Sequence, residues 1–466
     1  MSELAKKTIA DLAPLVESKE LSPVEITEAV LKRTKEYNPT INAYIDINEE
    51  TALEAAKAAE VEISNGNYKG VLHGIPLALK DILNFKGETV TYGSKIHKDF
   101  VPDFDATVVT KLKEAGSVFT GKLNMHEYAW GATTDNPHFG ACRNPWDLQR
   151  NPMGSSGGSG AAVAADMTIA SLGTDTGGSI RMPAAACGIV GLKPTHGRVS
   201  KYGCFPLSWS LDHIGPMTKT VEDAAILLEY IAGYDEKDPT TIEKPIENYS
   251  NYLTGDIKGK VIGIIEDYFF QEIDNGIEKT VRDGIKQLES MGATVEVIKV
   301  PSLKYAMFAE YITILAESTT IHARNIKIRP NDFGEDVRLN LKLGMVPSGV
   351  DYLQAQQIRR MIDLEFVRAF EKVDVIIGPS LPVAPPTIGI DTTSQGVRLS
   401  CPANLTGLPS ISVPCGISEG LPVGMQIIGP AFKETEILNF AYALEKTNPL
   451  NGIRPSFEEE LNKSII

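Results

Sequence analysis

The spacing of apolar and polar positions along the chain predicts helices alternating with short buried strands. Ser22-Pro23-Val24-Glu25 reads as a capping box with proline at the first helical position, opening a helix through Tyr37 that ends before Asn38-Pro39. Thr51 to Ser64 follows as a second, alanine-rich helix, and the two make an N-terminal helical layer over residues 1–65. Val261-Ile262-Gly263-Ile264-Ile265, Val375-Ile376-Ile377 and Ile411-Ser412-Val413 read as short buried strands. Helices Thr220 to Ala232 and Gly276 to Gly292 alternate with them, which favours a layered α/β fold. No apolar run reaches the roughly 18 residues that a membrane-crossing helix needs.

Between residues 70 and 220 the pattern is interrupted by two glycine-serine loops, Gly154-Ser155-Ser156-Gly157-Gly158-Ser159-Gly160 and Gly173-Thr174-Asp175-Thr176-Gly177-Gly178-Ser179. Such composition alone reads as linker. The residues between them argue otherwise: Ala161 to Asp166 is helix-forming, and Ile169 to Leu172 is a short apolar run. A helix of about eight residues rises about 12 Å and a strand of four or five returns about 15 Å, so the two loops can face each other.

A serine hydroxyl attacks only when a base takes its proton, and histidine is the commonest base. Neither loop contains a histidine. Lys80 is the other candidate, because it follows the apolar run Ile75-Pro76-Leu77-Ala78-Leu79. A lysine ending a buried strand must be partnered or desolvated, and desolvation lowers its pKa toward the range a base requires. Consecutive amides in a glycine-rich turn can converge on a developing oxyanion, and Pro183-Ala184-Ala185-Ala186 reads as a helix start whose positive end lies near it. Gly154-Ser155-Ser156-Gly157-Gly158 also fits a nucleophile elbow with Ser156 as nucleophile. That motif needs a preceding strand and a late histidine. The stretch before it carries Pro145 and Pro152, and the last histidine is His322. Neither loop has the Gly-Lys-Ser/Thr ending of a phosphate-binding loop.

These residues resemble the amidase signature hydrolases, along most of the chain and most densely from His73 to Pro216. The serine-glycine stretch 154–160, the run GTDTGGSIR from Gly173 to Arg181 and CGIVGLKP from Cys187 to Pro194 carry the likeness. The resemblance implies one α/β domain with a mixed central sheet covered by helices on both faces. It also implies amide hydrolysis through a seryl acyl-enzyme on a Ser-cisSer-Lys triad. Ser179 matches the nucleophile, Ser155 the bridging serine on a cis peptide after Gly154, and Lys80 the base. The amides of Thr176, Gly177, Gly178 and Ser179 match the oxyanion hole. Lys122 to Glu127 matches a stretch that brings Met125 to the pocket, and Leu381 to Thr387 a loop at its mouth. His126 is expected to be a partnered structural histidine, since the family needs none for chemistry.

Within that family the chain resembles both free-standing amidases and the A subunit of the glutamyl-tRNA(Gln) amidotransferase. Ser200 to Pro216, Pro402 to Pro409 and Arg359 look like the latter, in which Arg359 would hold the substrate carboxylate. The amidotransferase pattern also has an acidic residue shortly before Pro-x-Asn-Leu, where this chain has Gly396-Val397-Arg398-Leu399-Ser400, and Met153 replaces a glycine. These departures favour a free-standing amidase acting on a small-molecule amide over the glutaminase-type subunit, while intact Lys80, Ser155 and Ser179 speak against a non-catalytic scaffold. The expected assembly is a homo-oligomer, or a complex with a B-type subunit on the alternative reading.

Composition adjusts this picture little. The 466 residues would allow about three domains by length. No linker divides them, so the expectation is a single domain over 1–466 with a signature core at 70–220 and a soft connection at 235–253. A net charge of −15 argues against a nucleic-acid-binding surface covering the protein. Five widely spaced cysteines without a C-x-x-C pair read as reduced, buried thiols of a cytoplasmic protein, and Met1 to Lys7 lacks the apolar core of a signal peptide. No His/Cys/Asp/Glu cluster has ligand spacing, so neither metal nor other cofactor is expected.

Overall fold

Eleven strands form one mixed sheet in the computed structural model, which describes residues 2–447, 450 and 453–458. In chain order they are β1 (Tyr44–Ile47), β2 (Pro76–Lys80), β3 (Val118–Leu123), β4 (Ala170–Asp175), β5 (Val190–Lys193), β6 (His213–Thr218), β7 (Val261–Ile264), β8 (Thr294–Val297), β9 (Val375–Pro379), β10 (Ser410–Ser418) and β11 (Leu421–Ile428). Their order across the sheet is β1-β3-β2-β4-β6-β5-β10-β11-β9-β7-β8. Strands β3, β2 and β4 are parallel, as are β9, β7 and β8, while β4 to β9 pass through antiparallel pairs. One continuous sheet joins strands from Tyr44 to Ile428, so the chain forms a single α/β unit.

Strands β2 to β6, β9 and β11 are buried along their whole length. Such strands need cover on each face. Helices supply it: α1 (Pro23–Ile41), α2 (Glu49–Ser64), α3 (Gly157–Ala164), α4 (Arg181–Cys187), α5 (Val221–Ile231), α6 (Asn275–Ser290), α7 (Ala306–His322), α8 (Gly349–Ala369), α9 (Thr393–Leu405) and α10 (Glu434–Thr447). Among the described residues no helix is long and apolar enough to cross a membrane.

Helix α1 starts as its sequence predicts. Ser22 Oγ accepts from Val24 N at 3.0 Å, and Glu25 accepts from Ser22 N at 3.1 Å. It does not stop before Asn38-Pro39 but continues to Ile41. Pro39 withholds one N–H from the ladder. The last turn closes instead on Asn42, at φ 54°, whose N–H reaches Asn38 O at 2.8 Å. The predicted strands at 261, 375 and 411 are all present, and β10 runs on to Ser418.

The first glycine-serine loop also departs from its composition, because Gly157 to Gly160 form the opening turns of α3. Glycine is an indifferent helix former, but here packing decides. A Cβ at Gly158 would lie 2.3 Å from Asn124 O and 2.6 Å from Ala43 O, so only glycine lets α3 approach the end of β3. Segment 235–253 holds one short 3₁₀ turn, Tyr249–Tyr252. It is tied down by Asp235, which accepts from Ser200 Oγ at 2.6 Å, and by the buried Tyr249 ring.

Candidate active site

Lys80 is the last residue of β2, beside the carboxyl end of the parallel strand β4. The carboxyl ends of parallel strands are where α/β sheets open a crevice. Its side chain is fully buried, and its ammonium nitrogen is 2.7 Å from Ser155 Oγ, 2.9 Å from Ser156 Oγ and 2.7 Å from Thr174 Oγ1. Both glycine-serine loops therefore meet on this one nitrogen. Burial lowers the Lys80 pKa to about 7, with Cys204, Asp212 and Asp175 opposing the shift. The peptide between Gly154 and Ser155 is cis.

One hydroxyl proton near Lys80 is fixed by the backbone. Ser156 Oγ donates to Thr174 O at 3.1 Å and accepts from Thr174 N at 3.2 Å, so its proton is committed to the backbone. A neutral Lys80 has two N–H donors and one lone pair. Ser156 can only accept from it, so the lone pair faces either Ser155 or Thr174, and when both donors lie on Ser156 and Thr174 it faces Ser155. This is the arrangement a proton relay from Ser155 to Lys80 requires. The Ser156 hydroxyl is held on both sides by the Thr174 backbone, which argues against it as a nucleophile.

Ser179 sits at the end of the second loop, 7% exposed, with its carbonyl accepting from Ser156 N at 3.3 Å. Gly178 has φ 130°, and a Cβ there would meet Ser400 Oγ at 2.1 Å, so both conformation and space demand glycine. The Gly178 amide departs from the expected oxyanion role. It donates to Asp175 Oδ1 at 2.8 Å, because the loop folds back over that carboxylate. The amides of Thr176, Gly177 and Ser179 are the rest of the expected set.

Asp175 organises the loop. It is wholly buried and accepts from Gly178 N, from Ile180 N at 3.1 Å, from Arg181 Nε at 3.1 Å and Nη2 at 3.0 Å, and from Asn404 Nδ2 at 2.8 Å. Burial works against its charge, yet Arg181, Lys193 and the Asn404 amide hold its pKa at about 2. Next to it Thr176 Oγ1 donates to Asp212 Oδ1 at 2.6 Å, and burial pushes Asp212 up to about 6.

Asp212 also lines a cavity of about 290 Å³, with Lys201, Cys204 and His213 among others. A neighbouring cavity of about 460 Å³ shares Trp209 and Thr240 with it and holds Arg359 and Ser210. Neither is lined by Lys80, Ser155 or Ser179. Arg359, on α8, donates to Ser210 Oγ and Gln356 Oε1, both at 2.9 Å, and to Leu405 O at 3.2 Å, and to none of those three residues. Met125 is buried, with its N–H on Asn124 Oδ1 at 2.8 Å and its carbonyl accepting from Asn136, and it lines neither cavity. His126 is bonded to Asp336 at 2.7 Å and to Thr133 at 3.3 Å, the partnered histidine that the sequence suggests. The proline-rich loop is anchored by Arg150, which donates to Pro385 O at 2.6 Å. Met153 has φ 59°, a conformation that favours glycine. Four of the five cysteines are buried, and Cys204 is partly exposed.

The sequence reading missed Thr174, Asp175 and Asn404 as parts of the site. Only the pairing of Asp175 with Arg181, six residues on and inside a glycine-rich run, could have flagged one of them.

Comparison with known proteins agrees with this geometry. The family model described as Amidase matches residues 25–438. The A subunit of the glutamyl-tRNA(Gln) amidotransferase of Caldanaerobacter subterraneus subsp. tengcongensis is 44% identical, over 95% of this chain and 97% of its own. A solved bacterial aryl acylamidase of the amidase signature family is 28% identical with a TM-score of 0.88, over 95% of this chain and 96% of its own. An inhibitor-bound structure from a vestigial protein complex, bearing on the origins of an s-triazine catabolic enzyme, is 32% identical with a TM-score of 0.92. That match covers 96% of this chain and 99% of the other. With a buried lysine bridging two serine loops at the carboxyl ends of parallel strands, and a family match across nearly the whole sheet, this chain belongs to the amidase family and is an amide C–N hydrolase.

Proposed function

We propose that the chain is a free-standing amidase in which Ser179 is the nucleophile, Ser155 the proton bridge and Lys80 the base. The observation that carries this reading is the buried Lys80 nitrogen, 2.7 Å from Ser155 Oγ and so within direct proton-transfer reach of that hydroxyl. Ser179 Oγ attacks the amide carbonyl carbon, passing its proton to Ser155 as Ser155 passes its own to Lys80. The carbonyl oxygen becomes an oxyanion held by the Thr176, Gly177 and Ser179 amides. Collapse breaks the C–N bond, and the leaving nitrogen takes the proton back from Lys80 through Ser155. Water then attacks the acyl-enzyme by the same relay, releasing the carboxylic acid and restoring Ser179. No step needs a metal or another cofactor. Five cysteines without a disulfide among the described residues support a cytoplasmic location.

A second reading, the glutaminase-type subunit of a tRNA-dependent amidotransferase, is favoured by one observation: 44% identity to such a relative along nearly its full length. Arg359 would then bind the substrate carboxylate. Incubating the purified chain alone with a panel of simple amides separates the two. Turnover without a partner supports the free amidase. Glutaminase activity only with a B-type subunit supports the second reading, and silence in both settings contradicts both.

A further inference from the structure

The best-packed acid of helix α7 is not the one nearest the nucleophile. Glu317 is fully partnered, accepting from Ser208 Oγ at 2.5 Å, Ser210 N at 3.2 Å, Ser210 Oγ at 2.7 Å and Tyr352 OH at 2.9 Å. Glu310, two turns earlier on the same helix, has no solvent exposure, and neither carboxyl oxygen has a hydrogen-bond partner among the described residues. A buried carboxyl without partners is costly and needs a reason.

Its position supplies one. A methyl placed on Gly177 would lie 2.7 Å from Glu310 Oε1 and 3.4 Å from Val397 Cγ1. Gly177 is two residues before Ser179, so the carboxyl faces the loop that receives the substrate carbonyl. The α9 residue facing the same point is the apolar Val397. The acid at this wall of the site therefore comes from α7. Burial holds the Glu310 pKa well above the usual carboxylate range. Arg359 and Arg181 oppose that shift, while Asp175 and Glu317 add to it. The two guanidiniums already hold other acceptors: Arg181 holds Asp175 and Asn404, and Arg359 holds Ser210, Gln356 and Leu405 O.

We propose that Glu310 determines specificity by holding a protonated amine on the acyl portion of the amide substrate. An ammonium offers up to three donors and can satisfy both oxygens, whereas a neutral acceptor could engage only the acid's hydroxyl. As the ammonium docks, Glu310 gives its proton to solvent, and the buried charge acquires its partner. This rests on the amidase reading and on Ser179 as its nucleophile.

The test uses two small sulfonyl fluorides that label the nucleophile without turnover, 3-aminopropanesulfonyl fluoride and its neutral counterpart butanesulfonyl fluoride. The readout is the ratio of their labelling rates at Ser179, which cancels their intrinsic reactivity when variants are compared. A charge-assisted hydrogen bond predicts that Glu310→Gln lowers the amine-to-neutral ratio by about tenfold or more. Neutral labelling should be unchanged, which reports an intact fold and triad, and Glu310→Asp should retain part of the preference. An unchanged ratio in Glu310→Gln overturns the assignment and leaves the amidase reading standing. Equal slowing of both probes also overturns it, because the residue would then be structural. Failure of both probes to label Ser179 in the wild-type chain overturns the amidase reading, and the assignment falls with it.

Discussion

Replacing Thr174 by valine tests how Lys80 is tuned without touching Ser155 or Ser179. The change is nearly isosteric and sits in β4, where a β-branched residue is favoured, so the fold should hold. It deletes one of the three hydroxyl oxygens around the Lys80 nitrogen, at 2.7 Å. A hydrogen bond to a charged donor is worth about 1.5–3 kcal/mol and one to a neutral donor about 0.5–1.5 kcal/mol, so the ammonium loses roughly 1 kcal/mol more than the amine. At 1.36 kcal/mol per unit, the lysine pKa should fall by about 0.7 unit. Lys80 starts from about 7. Only the neutral amine accepts the proton, so wild-type kcat/KM rises with pH through about 7 and levels above it. In the variant that limb moves to about 6.3, and at pH 6 the neutral fraction grows from about 0.1 to about 0.3. Relative to its own plateau, the variant should then be roughly three- to fourfold faster than wild type at that pH, while the plateau drops because the base is weaker. The assay is kcat/KM against pH on one neutral amide. A limb that stays in place or moves upward would show that Lys80 is not the titrating base.

Three further outcomes follow from the same geometry. Ser179→Ala should lose nearly all turnover with an unchanged melting profile, whereas Ser155→Ala should be less damaged because a water can bridge where its hydroxyl stood, and parallel kcat measurements rank them. Lys80→Arg keeps the charge but cannot shed its proton in the working range, so it should be as inactive as Lys80→Ala, and substantial activity with a normal pH profile would reduce Lys80 to a fixed charge. Asp175→Asn leaves Arg181 buried without its carboxylate and should cost about 3–5 kcal/mol in a denaturant titration. Because the Asp175 pKa is about 2, below its unfolded value, its contribution is present above pH 4 and is lost as pH falls through about 2, and the variant should lack that acid-dependent step.

The catalytic candidates were legible because each breaks a local rule: serines among glycines beside a good helix, and a lysine closing an apolar strand. The strands at 261, 375 and 411 were legible for the converse reason, since short apolar runs flanked by helices have few other homes. The glycines inside α3 run against composition because tertiary packing overrides residue preference, as the close approach of Gly158 to Asn124 O shows, whereas α1 passes Pro39 because its last turn closes on the left-handed Asn42. The resemblance alone places Gly178 in the oxyanion hole, and nothing local in the sequence shows that Asp175, three residues earlier, takes its amide. Glu310 was invisible for a different reason. Within AMFAEYITILAESTTIH it looks like Glu317, and only the packing of α7 against the Ser179 loop separates the partnered acid from the unpartnered one.

The central claim is that one hydroxyl, that of Ser179, carries the acyl group. Treating the purified chain with a fluorophosphonate and mapping the adduct by peptide mass spectrometry tests it most directly. A single adduct on Ser179, absent from Ser179→Ala and strongly slowed in Lys80→Ala, is the expected result. An adduct on Ser156, or labelling of Ser179 at full rate without Lys80, would contradict the account.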